Sequence, residues 1–546
     1  MVYCGRPSRG CQMCRTRRIK CDETKPTCKQ CAKSRRQCPG YKHDFDIVFR
    51  NETSATKRRV NRGLGTKKKS HDQITFRTGY NNDEDKHNNE SRSLAMTYRG
   101  EPSSSTILSV PIESQALCFF ISNFVCKPRI AEGIGAFEYL IPIIKVEPRD
   151  SPISLAFAAV SLASLANRPN SRSGGLMIEA MTQHGKALKA INIALQTSIT
   201  QKTDATLASI LLLGFFETLT SEKTNMLAWG SHIDGAAQLT KIRGKKQLRT
   251  KTGLALFVTV RDQMLVNCIS ASKAPLASAH WWINVQEPSE RGPDAFVAAI
   301  SLRVAELRFE ANDLLANSCR TPELLEKVNE IMKRAQAMDI EFQDWAERLP
   351  KDWLPQPVAW IDNIPGGDLM KSDIYPGRVD LYSDLIIAHT WNSARTCRLF
   401  IIGLIIRCVA WLGLAADYKT KPEYKFCHKI GSTLMTDIIA SIPYHLGWPM
   451  DENGDLKAGD ISSNSCHARD DPVSSPKALG GFYCIWPAFC VTSSDYATDS
   501  QRSWVKGRLR LIADLMGLNQ ARVYELRLPS MVVARDGMSP TPPTAT

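Results

Sequence analysis

The chain has 546 residues, 43% hydrophobic and 23% charged, enough for one large folded domain or several ordinary ones. Its formal charge of +15 is concentrated at one end: residues 1–43 hold 12 basic and 2 acidic side chains, 44–100 hold 12 and 8, and 101–546 hold 46 and 45. A basic head on a balanced body argues against a one-domain metabolic enzyme and for a polyanion-binding module joined to a neutral globular part.

Residues 1–43 are rich in Cys and Arg and have few side chains for an ordinary core; seven of the 17 cysteines fall in the first 38 residues. Residues 1–10 carry no apolar run of signal-peptide type, so a reducing compartment is expected. Residues 44–105 read as a basic, largely disordered linker. Within it, Asn81 to Ser93 has no hydrophobic residue and cannot offset the entropy of ordering.

From about residue 106 the apolar residues take a helical period. Ser151-Pro152 reads as an N-cap followed by Pro at the first helical position, with Leu155, Ala159, Leu162 and Leu165 on one face. Thr321-Pro322 repeats the signal ahead of Leu325, Val328, Met332, Ala335, Phe342, Trp345 and Leu349. Similar patterns cover 176–195, 205–219, 227–242, 254–271, 295–316, 380–414 and 428–442. Strand alternation is sparse, 350–377 and 449–480 read as loops, and 536–546 as a flexible tail. The expectation for 106–535 is a large all-α domain of ten or more helices. The apolar run Leu399 to Leu414 is broken by Arg407 and predicts a buried core helix, so no membrane partner is expected.

The densest chemistry lies at Cys11, Cys14, Cys21, Cys28, Cys31 and Cys38, spaced C-x2-C-x6-C twice in succession. Two separate tetrahedral zinc sites need eight ligands, but six thiolates serve two ions if two cysteines bridge. The internal repeat points to the first Cys of each half as the bridging pair. One ion then takes Cys11, Cys14, Cys21 and Cys28, and the other Cys28, Cys31, Cys38 and Cys11. Soft thiolates in this number suit zinc better than calcium or magnesium. A disulfide knot, an iron–sulfur cluster and a simple zinc store are the competing readings of the cysteines alone.

The stretch 11–38 resembles the fungal Zn(2)-C(6) binuclear zinc cluster, the DNA-binding domain of fungal transcription factors. All six cysteines match, as do the basic run Arg15-Thr-Arg17-Arg18-Ile-Lys20 and Pro26 ahead of the fourth cysteine. The segment from His232 to Gly244 is similar to part of the helical regulatory domain found downstream in that family, though by itself it is an ordinary helix with a core histidine. The resemblance implies a metal-held domain at 1–43, two short helices around two zinc ions, followed by an all-α regulatory domain. It also implies double-stranded DNA as partner, contact with the transcription machinery, and residence in the nucleus.

Arg15, Arg17, Arg18 and Lys20 lie between two ligands, on a helix too short to stand without metal. Such a helix can enter the major groove, where Arg meets guanine O6 and N7 bidentately. The resemblance makes Arg18 the base reader, where Lys is usual in the family, and CGG-type triplets the target. Lys29, Lys33, Arg35 and Arg36 are then phosphate contacts that position the module. Lys57, Arg58 and Arg59 with Lys67, Lys68 and Lys69 read as a bipartite nuclear-import signal or as a solvated basic linker.

No protease, hydrolase, dinucleotide or EF-hand motif occurs in the body, which argues against an enzyme. A small-molecule effector of the helical domain is left open. A different reading is a chromatin or kinetochore component that uses the cluster structurally. Residues 44–105 hold no heptad repeat, so the head is expected to be monomeric. Any homodimer would form through the body, with 325–349 a candidate face or else an ordinary core helix.

Overall fold

The computed structural model describes residues 11–17, 19–22, 24, 27–36, 38, 110–128, 134–169, 174–221, 226–284, 292–316, 320–363, 367–413, 418–447 and 477–526. The linker, the import candidates Lys57, Arg58, Arg59, Lys67, Lys68 and Lys69, and the tail lie outside the described residues, as does Arg18.

In the head, α1 spans Gln12–Thr16 and α2 spans Lys29–Lys33. The body begins with α3 (Ile112–Phe124), α4 (Leu140–Ile144), α5 (Pro152–Ala166), α6 (Gly174–Ala194), α7 (Asp204–Thr220) and α8 (Met226–Arg243). It continues through α9 (Lys251–Ala271), α10 (Ala279–Asn284), α11 (Pro293–Leu315) and α12 (Pro322–Glu347). After a short ribbon, β1 (Gln356–Ile361) and β2 (Gly377–Leu381), come α13 (Leu385–Leu412), α14 (Pro422–His445), α15 (Lys477–Thr492), α16 (Asp499–Met516) and α17 (Gln520–Leu526).

The start signals act as their chemistry requires. Ser151 accepts from the Ser154 amide at 3.4 Å and Thr321 from the Leu324 amide at 3.3 Å, each ahead of a Pro that has no amide to satisfy. Thr498 and Gln501 close a capping box on α16.

Two helices are apolar on nearly every side and form the interior. Every residue from Ala205 to Leu219 of α7 is buried, against α5 and α8. Helix α13, which contains the apolar run from Leu399 to Leu412, packs against α11, α12, α14 and α15. Phe215 of α7 meets Phe124 of α3 at 5.1 Å and Phe482 of α15 at 5.2 Å between ring centroids, so residues far apart in sequence share one core. The face of α12 set out as a dimer candidate is largely occupied. Val328, Ala335, Phe342 and Trp345 are all buried, against α11 and α13. It is a core helix.

Two loop expectations need correction. Residues 350–377 contain β1, paired antiparallel with β2 in a register from Gln356 opposite Leu381 to Ile361 opposite Gly377, with an irregularity between Pro357 and Ala359. The run Val358-Ala-Trp-Ile361 is too short to show alternation, and its partner strand runs from the last residue of that stretch, Gly377, into Asp380 and Leu381, which the helical period had claimed. Arg378 fastens the ribbon to α14 by bonding Asp380 at 2.8 Å and Asp437 at 2.6 Å. The second loop, 449–480, ends in the first turn of α15 at Lys477.

Candidate metal centre

The two head helices start in the same way. Cys11 Sγ accepts from the Cys14 amide at 3.4 Å, and Cys28 Sγ from the Cys31 amide at 3.3 Å. Each sulfur thus takes the N-cap role usually filled by Ser or Asp, so a helix start gathers positive dipole on it. The C-terminal ends also match: Ile19 N donates to Cys14 O at 3.1 Å and Arg36 N to Cys31 O at 3.0 Å. At the second end Arg35 takes φ +50°, the left-handed turn that closes a helix.

These turns bring the six cysteines together. Sulfurs of Cys11, Cys14, Cys21 and Cys28 form one tetrad and those of Cys11, Cys28, Cys31 and Cys38 another, all within 4.8 Å inside each group. Cys11 and Cys28 belong to both, as the sequence repeat predicts. Cys11 and Cys28 sulfurs are 3.7 Å apart, and Cys14 lies 3.6 Å from Cys28. A tetrahedron with Zn–S bonds of about 2.3 Å has edges of about 3.8 Å, whereas a disulfide needs about 2.05 Å. The spacing fits shared tetrahedral zinc and not a disulfide knot; all six are free cysteines.

The charges of the sulfurs support the same conclusion. Cys11, Cys14, Cys28 and Cys31 are buried. Burial, and then neighbouring sulfurs, push the Cys31 thiol up to about 12 and Cys14 up as well. Six thiolates at this separation need divalent cations to stay ionised, and two zinc ions supply four positive charges against six negative.

The basic residues are mostly on the outside. Arg17, Lys20, Lys29, Lys33, Arg35 and Arg36 are exposed, and Arg15 lies on α1. Arg17 Nη1 donates to Ser34 Oγ at 3.2 Å, while Ser34 Oγ donates to the Gln30 carbonyl at 2.9 Å. This exposed guanidinium therefore links the end of α1 to the end of α2. Asp22 accepts from the Thr24 hydroxyl at 2.5 Å and the Lys29 amide at 3.2 Å, and these bonds, the hydroxyl first, hold its carboxyl below the usual range. Asp22 and Ser34 carry no ligand-like spacing, and only the folded head reveals their positions.

His232, in the body segment compared with the regulatory domain, is buried on α8 and pushed down to about 4 by burial. It is a core residue. Trp281 and Trp282 likewise pack edge to face at 4.9 Å, with Trp282 Nε1 donating to Leu276 O at 2.7 Å.

The comparisons with known proteins agree with the geometry. The fungal Zn(2)-Cys(6) binuclear cluster domain matches residues 9–46, and the fungal specific transcription factor domain matches residues 132–280. Transcription factor dbaG of Emericella nidulans is 22% identical over 414 residues, 75% of this chain and 90% of that protein. The lysine biosynthesis regulatory protein of Saccharomyces cerevisiae is 69% identical over 29 residues, 5% of this chain and 4% of its own. An uncharacterized transcriptional regulatory protein of Schizosaccharomyces pombe is 63% identical over 38 residues, 7% of each chain. These two matches are short, and no solved structure matches the chain. The head is thus similar to the fungal two-zinc cysteine cluster, and the segment behind it to the domain that is specific to fungal transcription factors.

Proposed function

We propose that this transcription regulator reads CGG-like triplets in double-stranded DNA and acts in the nucleus on genes transcribed by RNA polymerase II. The observation that carries the reading is the pair of thiol tetrads sharing Cys11 and Cys28, with a basic stretch strung between the ligands Cys14 and Cys21.

In this reading Cys11, Cys14, Cys21, Cys28, Cys31 and Cys38 are the zinc ligands. When bound, zinc supplies the cross-links that a head with no apolar core lacks. Arg18 reads guanine at the major-groove edge, with Arg15, Arg17 and Lys20 around it. The Arg17–Ser34 bond holds the ends of the two helices together, so Arg17 serves as a brace as much as a reader. Lys29, Lys33, Arg35 and Arg36 contact phosphate, and their exposure leaves them free to reach it. Because thiolates and zinc together contribute about −2, the head keeps most of its positive charge and its attraction to DNA. Import by Lys57, Arg58, Arg59, Lys67, Lys68 and Lys69 belongs to the same proposal.

Selection of bound sequences from random duplex DNA by the full chain tests the reading. A recovered CGG-like triplet that also drives or represses a reporter is the expected result. Binding without sequence preference, or a recovered site with no effect on the reporter, would instead favour a chromatin component that uses the cluster structurally.

A further inference from the structure

The basic side chains of the body are not spread evenly. Six of them, Lys241, Arg243, Lys245, Lys246, Arg249 and Lys251, fall within eleven residues that hold no Asp or Glu. Without this stretch, residues 101–546 carry 40 basic and 45 acidic side chains, so the patch stands on a body that is otherwise slightly acidic.

Tertiary structure gathers the stretch into one knot. It runs from the end of α8 through a short 3-10 helix, Lys245–Arg249, into the first turn of α9. Gln247 is buried at its centre, and its Nε2 donates to the carbonyls of Thr240 and Gly244, both at 2.9 Å, so the turn folds back on the end of α8. Gly244 opens the turn at φ +64°, a left-handed value that glycine adopts without strain. Gly253 of α9 approaches so closely that a Cβ there would stand 2.0 Å from the Gln247 carbonyl oxygen. The three pieces meet at Gln247, and the cations around it are presented together.

Most of these charges are unanswered. Arg243 is taken up by Asp204 at the start of α7, and its side chain is only 6% exposed. Lys251 reaches Glu138 at 3.1 Å, yet its own side chain stays 76% exposed. Lys245 donates to the Asn284 carbonyl at 3.2 Å, which leaves its charge unneutralised. Lys241, Lys246 and Arg249 are exposed and have no ion-pair or hydrogen-bond partner among the described residues. Like charges gathered in this way raise a single-sign field that a polyanion relieves.

We propose that this patch binds the phosphate backbone of the duplex that the head reads, beside the triplet, and so lengthens the footprint without adding sequence preference. This rests on the reading that the head binds duplex DNA. Exposed lysines suit phosphate as point charges, and each phosphate they neutralise releases a counterion. Head and body share one chain, so once the head is seated the patch meets DNA at a high effective concentration, and a contact too weak to act alone takes hold. An acidic peptide would meet the same cations without that advantage.

The test compares the zinc-loaded full chain with a Lys241→Gln/Lys246→Gln/Arg249→Gln variant. The three side chains are exposed and break no bond when changed, so the Tm should not fall. Salt dependence of binding is measured on a duplex of about 40 base pairs with a central CGG-like triplet, on one of about 12, little more than a helical turn, and on a long random one. On both long duplexes the variant should lose about two to three from the slope of log K against log salt, roughly 0.9 for each phosphate given up. On the short duplex the slopes should agree, and preference for the triplet over random DNA should be unchanged. Equal slopes on the long duplexes, or an equal loss on all three, overturn the proposal. Tighter binding of a poly-glutamate peptide than of random duplex also overturns it and assigns the patch to an acidic protein partner. A chain that prefers no triplet but still loses slope in the variant would overturn the reading of the head and keep the patch.

Discussion

Two cysteines in the head differ from the other four because they serve both tetrads. Removing Cys14 leaves the second tetrad whole, whereas removing Cys11 breaks both. Zinc analysis of Cys14→Ala should therefore retain about one ion per chain, and Cys11→Ala fewer. Equal loss from the two variants would show that the bridging assignment is wrong. The basic side chains divide by the same kind of reasoning. Arg18→Ala should cost about 1–3 kcal/mol on the preferred site and blur the choice of guanine, because a bidentate base contact is sequence-specific. Lys33→Ala should weaken all duplexes alike and reduce the salt slope by about one. Equal weakening of preferred and random DNA by Arg18→Ala would remove it as the reader.

Between elements, the contact that most depends on tertiary placement is the pair Asp339 on α12 and Arg398 on α13. Arg398 Nε donates to one carboxylate oxygen at 2.8 Å and Nη2 to the other at 3.2 Å, with the Asp339 side chain 7% exposed. A bidentate pair of this kind contributes little compared with two apolar residues, yet removing one partner strands the other. Asp339→Ala should therefore destabilise the full chain by about 3 kcal/mol, read from denaturant unfolding, while an Asp339→Ala/Arg398→Met double variant recovers much of the loss. A loss no larger than that of an exposed pair would mean that the guanidinium is relieved by water. The helix carrying Asp339 was legible in advance from its Thr-Pro start and its three- and four-residue spacing. Its ion pair was not, because nothing in local periodicity links residue 339 to 398.

Across the whole molecule, buried histidines couple folding to pH. His232 and His445 are held down to about 4, chiefly by burial, against an ordinary value of 6.5. His389 and Arg395 add repulsion at His445, while its Nδ1 donates to the Ser441 carbonyl at 3.0 Å. Between about pH 6.5 and 4 the unfolded chain binds protons that the folded chain does not, so stability falls as pH falls. Each such histidine contributes a slope of up to about 1.4 kcal/mol per pH unit in that window. The expected observation is a Tm that is flat above pH 7 and drops from pH 6.5 to 5, less steeply in His232→Gln. An unchanged slope in that variant would assign the pH response to other groups.

The grouping of the six cysteines in the head was legible from their spacing, because it is set by short-range ligand geometry. Six sulfurs on a repeated spacing admit few closed arrangements around two ions, and the shared pair Cys11 and Cys28 follows from the repeat alone. The helical class of the body was legible for a similar reason, since caps and period act over a few residues. The β1–β2 ribbon, the burial of the α12 face and the Arg17–Ser34 brace were decided only by tertiary structure. Each joins segments that local periodicity does not link; in the body their meeting is set by how the apolar surfaces of α7 and α13 are covered, and in the head by the gathered cysteines.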